Sequence, residues 1–257
     1  MDKKISENGD YALMRSMKSD IIENEERKPV AGDGDMNREK SGPMSYILTE
    51  TFHRQPHRKV GSFSRKLVAI CASTGGPKAV AKIVPKLPEN LSAPIVMVQH
   101  MPKGFTSSYA KRLDETSSIS VKEAEDGEML EDGHLYIAKG GAHLRIFQRR
   151  SSYYISITDE PARSGLKPCA DIMYESLEKL DFDEIICVVL TGMGSDGTRG
   201  IGKLSEKKNV YVIAQDEATS TVYGMPGMIK SAGLTDEIVP LEEIADAIIK
   251  ATGTKIV

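Results

Sequence analysis

Lys66-Leu67-Val68-Ala69-Ile70-Cys71-Ala72 runs straight into Ser73-Thr74-Gly75-Gly76-Pro77, and this stretch decides the fold. A short, nearly continuous apolar run closed by turn residues suits a strand buried on both faces of a parallel sheet. Two later runs have the same form. Pro94-Ile95-Val96-Met97-Val98-Gln99 ends at His100, and Glu184-Ile185-Ile186-Cys187-Val188-Val189-Leu190 ends in Thr191-Gly192-Met193-Gly194-Ser195-Asp196-Gly197. Ligands of such sheets bind beyond the carboxyl ends of the strands. If the three strands run parallel, Ser73, His100 and Asp196 share one edge, bringing together the parts of a nucleophilic hydrolase.

Working outward, Pro77 after Gly75-Gly76 suits the first position of a helix, which runs through Ala79, Val80 and Ile83 and fades near Pro85. A second helix is predicted over about residues 105–115. His134-Leu135-Tyr136-Ile137-Ala138 and Ala142-His143-Leu144-Arg145-Ile146-Phe147 flank Lys139-Gly140-Gly141 and read as an antiparallel pair, to which residues 152–158 could add a third strand. Helices are predicted over about 170–180, 199–207 and 241–251, with a strand over 209–214. The expectation is an α/β protein with a doubly wound, mostly parallel sheet and an antiparallel hairpin.

Composition changes near residue 64. Residues 1–63 are rich in charge, Ser, Asn and Gly and read as a flexible arm, with a short helix over about 11–26 as a nascent helix or docking peptide. Residues 64–257 form the expected domain. A net charge of -3 gives no footprint for nucleic acid or an anionic membrane. No apolar run approaches the roughly 18 residues of a membrane span, and Met1-Asp2-Lys3-Lys4-Ile5 opens no secretory signal. Cys71, Cys169 and Cys187 are scattered, which suits a reducing compartment, and the expected location is cytoplasmic.

Each candidate has a plainer alternative. Ser73 is the nucleophile candidate, yet a serine before Thr-Gly-Gly-Pro also reads as a helix cap. The segment is not a G-x-S-x-G elbow, and it lacks the lysine of a P-loop. Among the histidines, His53 and His57 fall in the arm, and His134 and His143 belong to strand patterns. His100 alone ends a buried-type strand, so it is the base candidate. No His, Cys and carboxylate grouping has zinc spacing, and neither metal nor cofactor is expected. Gly192-Met193-Gly194-Ser195-Asp196-Gly197 also fits G-x-G-x-x-G, with Asp216 lying 24 residues beyond Gly192, the pattern of a dinucleotide site. That reading leaves Ser73 and His100 without a task.

Ala72-Ser73-Thr74-Gly75-Gly76-Pro77, Gln99-His100-Met101-Pro102 with Gly104-Phe105-Thr106, and Leu190 through Gly197 closely resemble the catalytic domain of the chemotaxis protein-glutamate methylesterases, the CheB family. His134 to Ala138, His143-Leu144 and Tyr223-Gly224-Met225-Pro226 extend the resemblance, which covers residues 65 to 257. It implies a three-layer α/β/α sandwich and a hydrolase that demethylates glutamate methyl esters on chemoreceptor signalling helices, with deamidation of receptor glutamines as a further family activity. By motif, Ser73 would be nucleophile, His100 general base and Asp196 its orienting partner, with Thr74 and Met193 around the oxyanion. A non-catalytic receptor-binding adaptor is the alternative.

Two departures stand out. Family members usually carry an N-terminal receiver domain, and residues 1–63 are too short and polar for one, so the expected control is by a regulator acting in trans or none. Where the family tends to have Pro-Ser-Val-Asp, this chain has Pro168-Cys169-Ala170-Asp171.

Overall fold

A computed structural model describes residues 50–58, 60–61 and 64–255. Seven strands form one parallel sheet: β1 (Lys66–Ala72), β2 (Ile95–Gln99), β3 (Ser120–Glu123), β4 (His134–Ile137), β7 (Glu184–Val189), β8 (Val210–Gln215) and β9 (Glu237–Val239). A separate antiparallel hairpin pairs β5 (His143–Arg149) with β6 (Ser152–Thr158). The sheet order is β3-β4-β2-β1-β7-β8-β9. From β1 the sheet extends through β2, β4 and β3 on one side and β7, β8 and β9 on the other. The order therefore reverses between β1 and β7, where an open α/β sheet leaves a crevice at its carboxyl edge.

Strand alternation distributes the core. Leu67, Ala69 and Cys71 face one layer and Val68, Ile70 and Ala72 the other, all at most 1% exposed. On the first face lie α3 (Ala170–Ser176), α4 (Thr198–Ser205), α5 (Gly224–Ser231) and the β5–β6 hairpin, contributing Met173, Tyr174, Ile201, Ile229 and Ile155. On the second lie α1 (Gly76–Ile83), α2 (Thr106–Asp114) and α6 (Ile244–Thr252), contributing Val80, Ile83, Leu113 and Ile248. This is the three-layer sandwich.

The expected pairing of 134–138 with 142–147 is corrected. β4 joins the main sheet between β3 and β2, and β5 takes β6 as its partner. Leu135, Tyr136 and Ile137 are all at most 1% exposed, and burial on both faces requires a place inside the main sheet. Lys139-Gly140-Gly141 is no hairpin turn. It passes beneath the loop after β2, so close that a Cβ on Gly140 would lie 2.3 Å from the Pro102 carbonyl oxygen. Thr106 Oγ1 accepts the Gly140 N–H there at 2.9 Å.

Residues 50–58 run over α4 and the amino ends of β7 and β8. Phe52 packs on Gly202, Gln55 N–H donates to the Ser205 carbonyl at 2.8 Å, and Arg54 donates to the Val210 carbonyl at 2.8 Å. The helix expected over 11–26 lies outside the described residues.

Candidate active site

The register of the central strands assembles the site. Ala72 pairs with Gln99, and Cys71 with Val189, so the residues just past these pairs emerge side by side. Three backbone bonds hold that edge: His100 N–H to the Ala72 carbonyl at 3.1 Å, Ser73 N–H to the Thr191 carbonyl at 3.1 Å, and Leu190 N–H to the Cys71 carbonyl at 3.0 Å. Ser73 therefore sits at the crevice between the loop carrying His100 and the loop carrying Asp196.

The cap reading of Ser73 does not hold. The residue before α1 is Gly75, in the left-handed region at φ 84°, and no side chain caps this helix. The partly exposed Ser73 hydroxyl makes no hydrogen bond to a described residue, and that includes His100. Behind it, Gly192 is obligatory: a Cβ there would lie 2.8 Å from Ser73 Cβ and 2.3 Å from Met225 Sδ. The segment after β8 fixes Gly192 from the other side, through its N–H to the Val222 carbonyl (3.0 Å) and its carbonyl to the Met225 N–H (2.8 Å).

His100 and Asp196 form a close side-chain pair at this edge. Nε2 of His100 lies 2.7 Å from Asp196 Oδ2, with side chains only 11% and 5% exposed. Burial pushes the Asp196 carboxyl up, but the bonds from His100, the Ala170 and Asp171 N–H groups and Cys169 outweigh it and leave the pKa below the usual carboxylate value. An ionised Asp196 accepts, so Nε2 carries the proton and Nδ1 holds the free lone pair.

Asp196 takes more than one donor on each oxygen. Oδ2 also accepts the Ala170 N–H at 2.6 Å, and Oδ1 accepts the Asp171 N–H at 3.0 Å and the Cys169 thiol at 3.1 Å. Cys169 is 1% exposed, and its thiol is pushed up to about 12 by burial and then by the Asp196 charge, so it remains a neutral donor. Asp171 in turn accepts the Gly197 N–H at 3.0 Å and the Gly200 N–H at 2.7 Å. Cys169, Asp171 and Asp196 bring metal-ligating atoms within 4.8 Å of one another. Most of their oxygens already face N–H and S–H donors, however, so the cluster is built to hold protons and backbone amides rather than a cation.

Around these groups, Gln99 is 1% exposed and its amide donates to the Ser73 carbonyl at 3.0 Å, tying the two strand ends together. Thr191 Oγ1 donates to the Thr74 carbonyl at 2.9 Å and accepts the Val222 N–H at 2.9 Å. Thr74 is exposed and Met193 is 75% exposed, so both stand at the mouth of the crevice. The sequence reading missed Gln99 and Thr191 as site residues; their only sequence signal is a polar residue ending an apolar run.

The remaining candidates have other tasks. Asp216 Oδ1 accepts both the N–H (3.0 Å) and hydroxyl (2.5 Å) of Thr219, closing its own turn. His143 is fully buried with Nε2 3.1 Å from the Pro161 carbonyl, His134 stacks on Tyr136, and His57 pairs with Glu184 at 2.9 Å. His53 meets Glu206 through its backbone N–H at 3.3 Å.

Residues 68–248 match the CheB methylesterase family. The chain is 48% identical over 187 residues to a Geobacillus kaustophilus protein-glutamate methylesterase/protein-glutamine glutaminase, covering 73% of this chain and 54% of that one. It is 45% identical over 184 residues to the protein of the same name from Bacillus subtilis, covering 72% and 52%. The Thermotoga maritima CheB methylesterase catalytic domain superposes with a TM-score of 0.71 at 40% identity, covering 73% of this chain and 99% of that structure. The chain belongs to the CheB methylesterase family. It spans about half the length of the curated relatives it matches.

Proposed function

We propose that this chain is a protein-glutamate methylesterase that removes methyl groups from glutamate side chains on chemoreceptor signalling helices, and deamidates receptor glutamines at the same site. The observation that carries this reading is the largely buried His100–Asp196 pair at the crevice between β1 and β7, where the Ser73 hydroxyl has no hydrogen-bond partner among the described residues.

In this reading Ser73 is the nucleophile, His100 the general base and Asp196 the group that orients it. With Nε2–H held on Asp196, Nδ1 is the nitrogen that takes the Ser73 proton. Ser73 Oγ then attacks the ester carbonyl, and the tetrahedral oxyanion is stabilised by donors at Thr74 and Met193. The Thr74 and Met193 backbone N–H groups make no hydrogen bond to described residues, which leaves them free for this role. Collapse expels methanol with the proton from His100. Water, deprotonated by His100, hydrolyses the acyl-enzyme and restores Ser73. A glutamine amide follows the same steps with ammonia as leaving group.

In this proposal residues 64–257 are the catalytic domain and 1–63 an arm whose residues 50–58 lie against that domain. The partners are methylated receptor helices and a regulator acting in trans, in the cytoplasm. Among the described residues no helix is long and apolar enough to cross a membrane. The test is to follow methanol and ammonia release together from receptor fragments carrying methyl-glutamate and glutamine. Both should fall by the same factor in His100→Ala; either one persisting at the normal rate contradicts a shared site. Receptor binding with no release by the unaltered protein would favour the adaptor.

A further inference from the structure

Asp196 and Asp171 lie on different elements, yet each holds the start of the helix next to the other. The Asp196 carboxylate accepts the first two N–H groups of α3, from Ala170 and Asp171. The Asp171 carboxylate accepts N–H groups from Gly197 and Gly200 at the start of α4, the helix entered through Asp196. Backbone approach makes the coupling rigid. A Cβ on Gly200 would lie 2.9 Å from Asp171 Cα and 3.0 Å from the Asp171 carbonyl oxygen, so α3 and α4 touch main chain to main chain.

We infer that Asp171 is a positioning residue for the reaction, locking the α4 entrance against α3 so that the Asp196 carboxylate stays on His100 Nε2. This rests on the triad reading above. A helix cap that adds modestly to stability can still matter greatly to rate, because misplacing a catalytic group by about 1 Å costs on the order of a hundredfold.

Charge supports the same role. Burial, and then the Asp196 charge, push the Asp171 carboxyl up to about 6 against the opposing Gly200 and Gly197 N–H bonds. The groups facing it are Asp196 at the α4 entrance, Glu175 on α3, the Arg163 guanidinium that pairs with Glu175 at 2.6 Å, Cys169 before α3 and Cys71 on β1. At neutral pH Asp171 is thus an anion, and its charge assists the N–H bonds that it accepts at the α4 entrance.

The test follows methanol release from methylated receptor fragments between pH 5 and 9, for the full chain and for Ser73→Ala, Asp171→Ala and Asp171→Asn. Asp171→Ala is expected to lose about thirtyfold in kcat with KM changed less than about twofold, because orientation and not binding is lost. Asp171→Asn keeps an oxygen for Gly197 and Gly200. It should recover to within about fivefold of normal, with KM unchanged. Activity persisting in Ser73→Ala overturns the triad reading and this inference together. A dead Ser73→Ala beside an Asp171→Ala that loses only thermal stability overturns the inference alone. Should Asp171→Ala fail to fold by circular dichroism, Asp171→Asn decides: a kcat loss well beyond about fivefold, although the acceptor oxygen is kept, overturns the inference.

Discussion

Asp171 and Asp196 exchange helix caps: each carboxylate accepts two N–H groups from the helix that starts beside the other, α3 for Asp196 and α4 for Asp171. Two acids this close repel. The donors around them divide the consequence unequally, leaving Asp196 below and Asp171 above the usual carboxylate range. One is therefore a fixed anion on His100, and the other titrates near pH 6.

That division has a signed effect on stability. The Asp171 pKa is raised in the folded state to about 6, so its contribution is full below the unfolded carboxylate range and is lost as pH rises through about 6. Asp171→Asn removes the ionised form while keeping an acceptor. It should raise Tm at pH 8 by about 3 °C or more and leave Tm unchanged near pH 4. Thermal unfolding at both pH values checks this; an equal shift at both contradicts it.

Asp196→Asn should behave in the opposite way. Every hydrogen-bond partner of Asp196 among the described residues is a donor, and an asparagine offers one acceptor oxygen where the carboxylate offers two. Its amide N–H₂ must face an N–H or S–H group. The expected cost is about 2 kcal/mol in stability together with roughly four orders of magnitude in kcat, since the favoured His100 tautomer is lost. Denaturant unfolding and methanol release measure the two losses separately.

Cys169 tests whether the thiol acts only as a donor. Cys169→Ser keeps a proton for Asp196 Oδ1, which the thiol reaches at 3.1 Å, and should stay within about threefold of normal kcat. Cys169→Ala removes the donor and should cost about 1 kcal/mol in stability. Alkylation at pH 7.5 should be slow in the folded protein, because the thiol is buried and its pKa lies near 12. Rapid labelling of Cys169 before unfolding would contradict this environment.

Gly192 should tolerate no side chain. Gly192→Ala puts a methyl into Ser73 Cβ and the buried Met225, and the loop has no room to retreat because residues 222–225 hold it by backbone bonds. Loss of activity with about 1–3 kcal/mol of destabilisation is expected. A fully active Gly192→Ala would contradict the packing of Ser73 against this loop.

Much of this architecture can be read from the chain because buried parallel strands announce themselves. β1, β2 and β7 are continuous apolar runs, and Ser73, His100 and Asp196 follow at their ends in a register that parallel pairing then aligns. β4 misleads because Lys139-Gly140-Gly141 has the composition of a hairpin turn, while its glycines answer to the approach of the Pro102 carbonyl, a tertiary contact. β3 (Ser120–Glu123) and β9 (Glu237–Val239) are short sheet-edge strands with polar residues, and only their neighbours define them. The partners of Asp171 lie 26 and 29 residues away in sequence, so no local pattern could show that it holds the α4 entrance.

The central claim is that Ser73 performs nucleophilic chemistry at the crevice between β1 and β7. Its most direct test is methanol release from methylated chemoreceptor cytoplasmic fragments, comparing the intact chain with Ser73→Ala of unchanged circular dichroism. The account predicts release by the intact chain and a loss of roughly four orders of magnitude or more in the variant. Near-normal release by Ser73→Ala would contradict it.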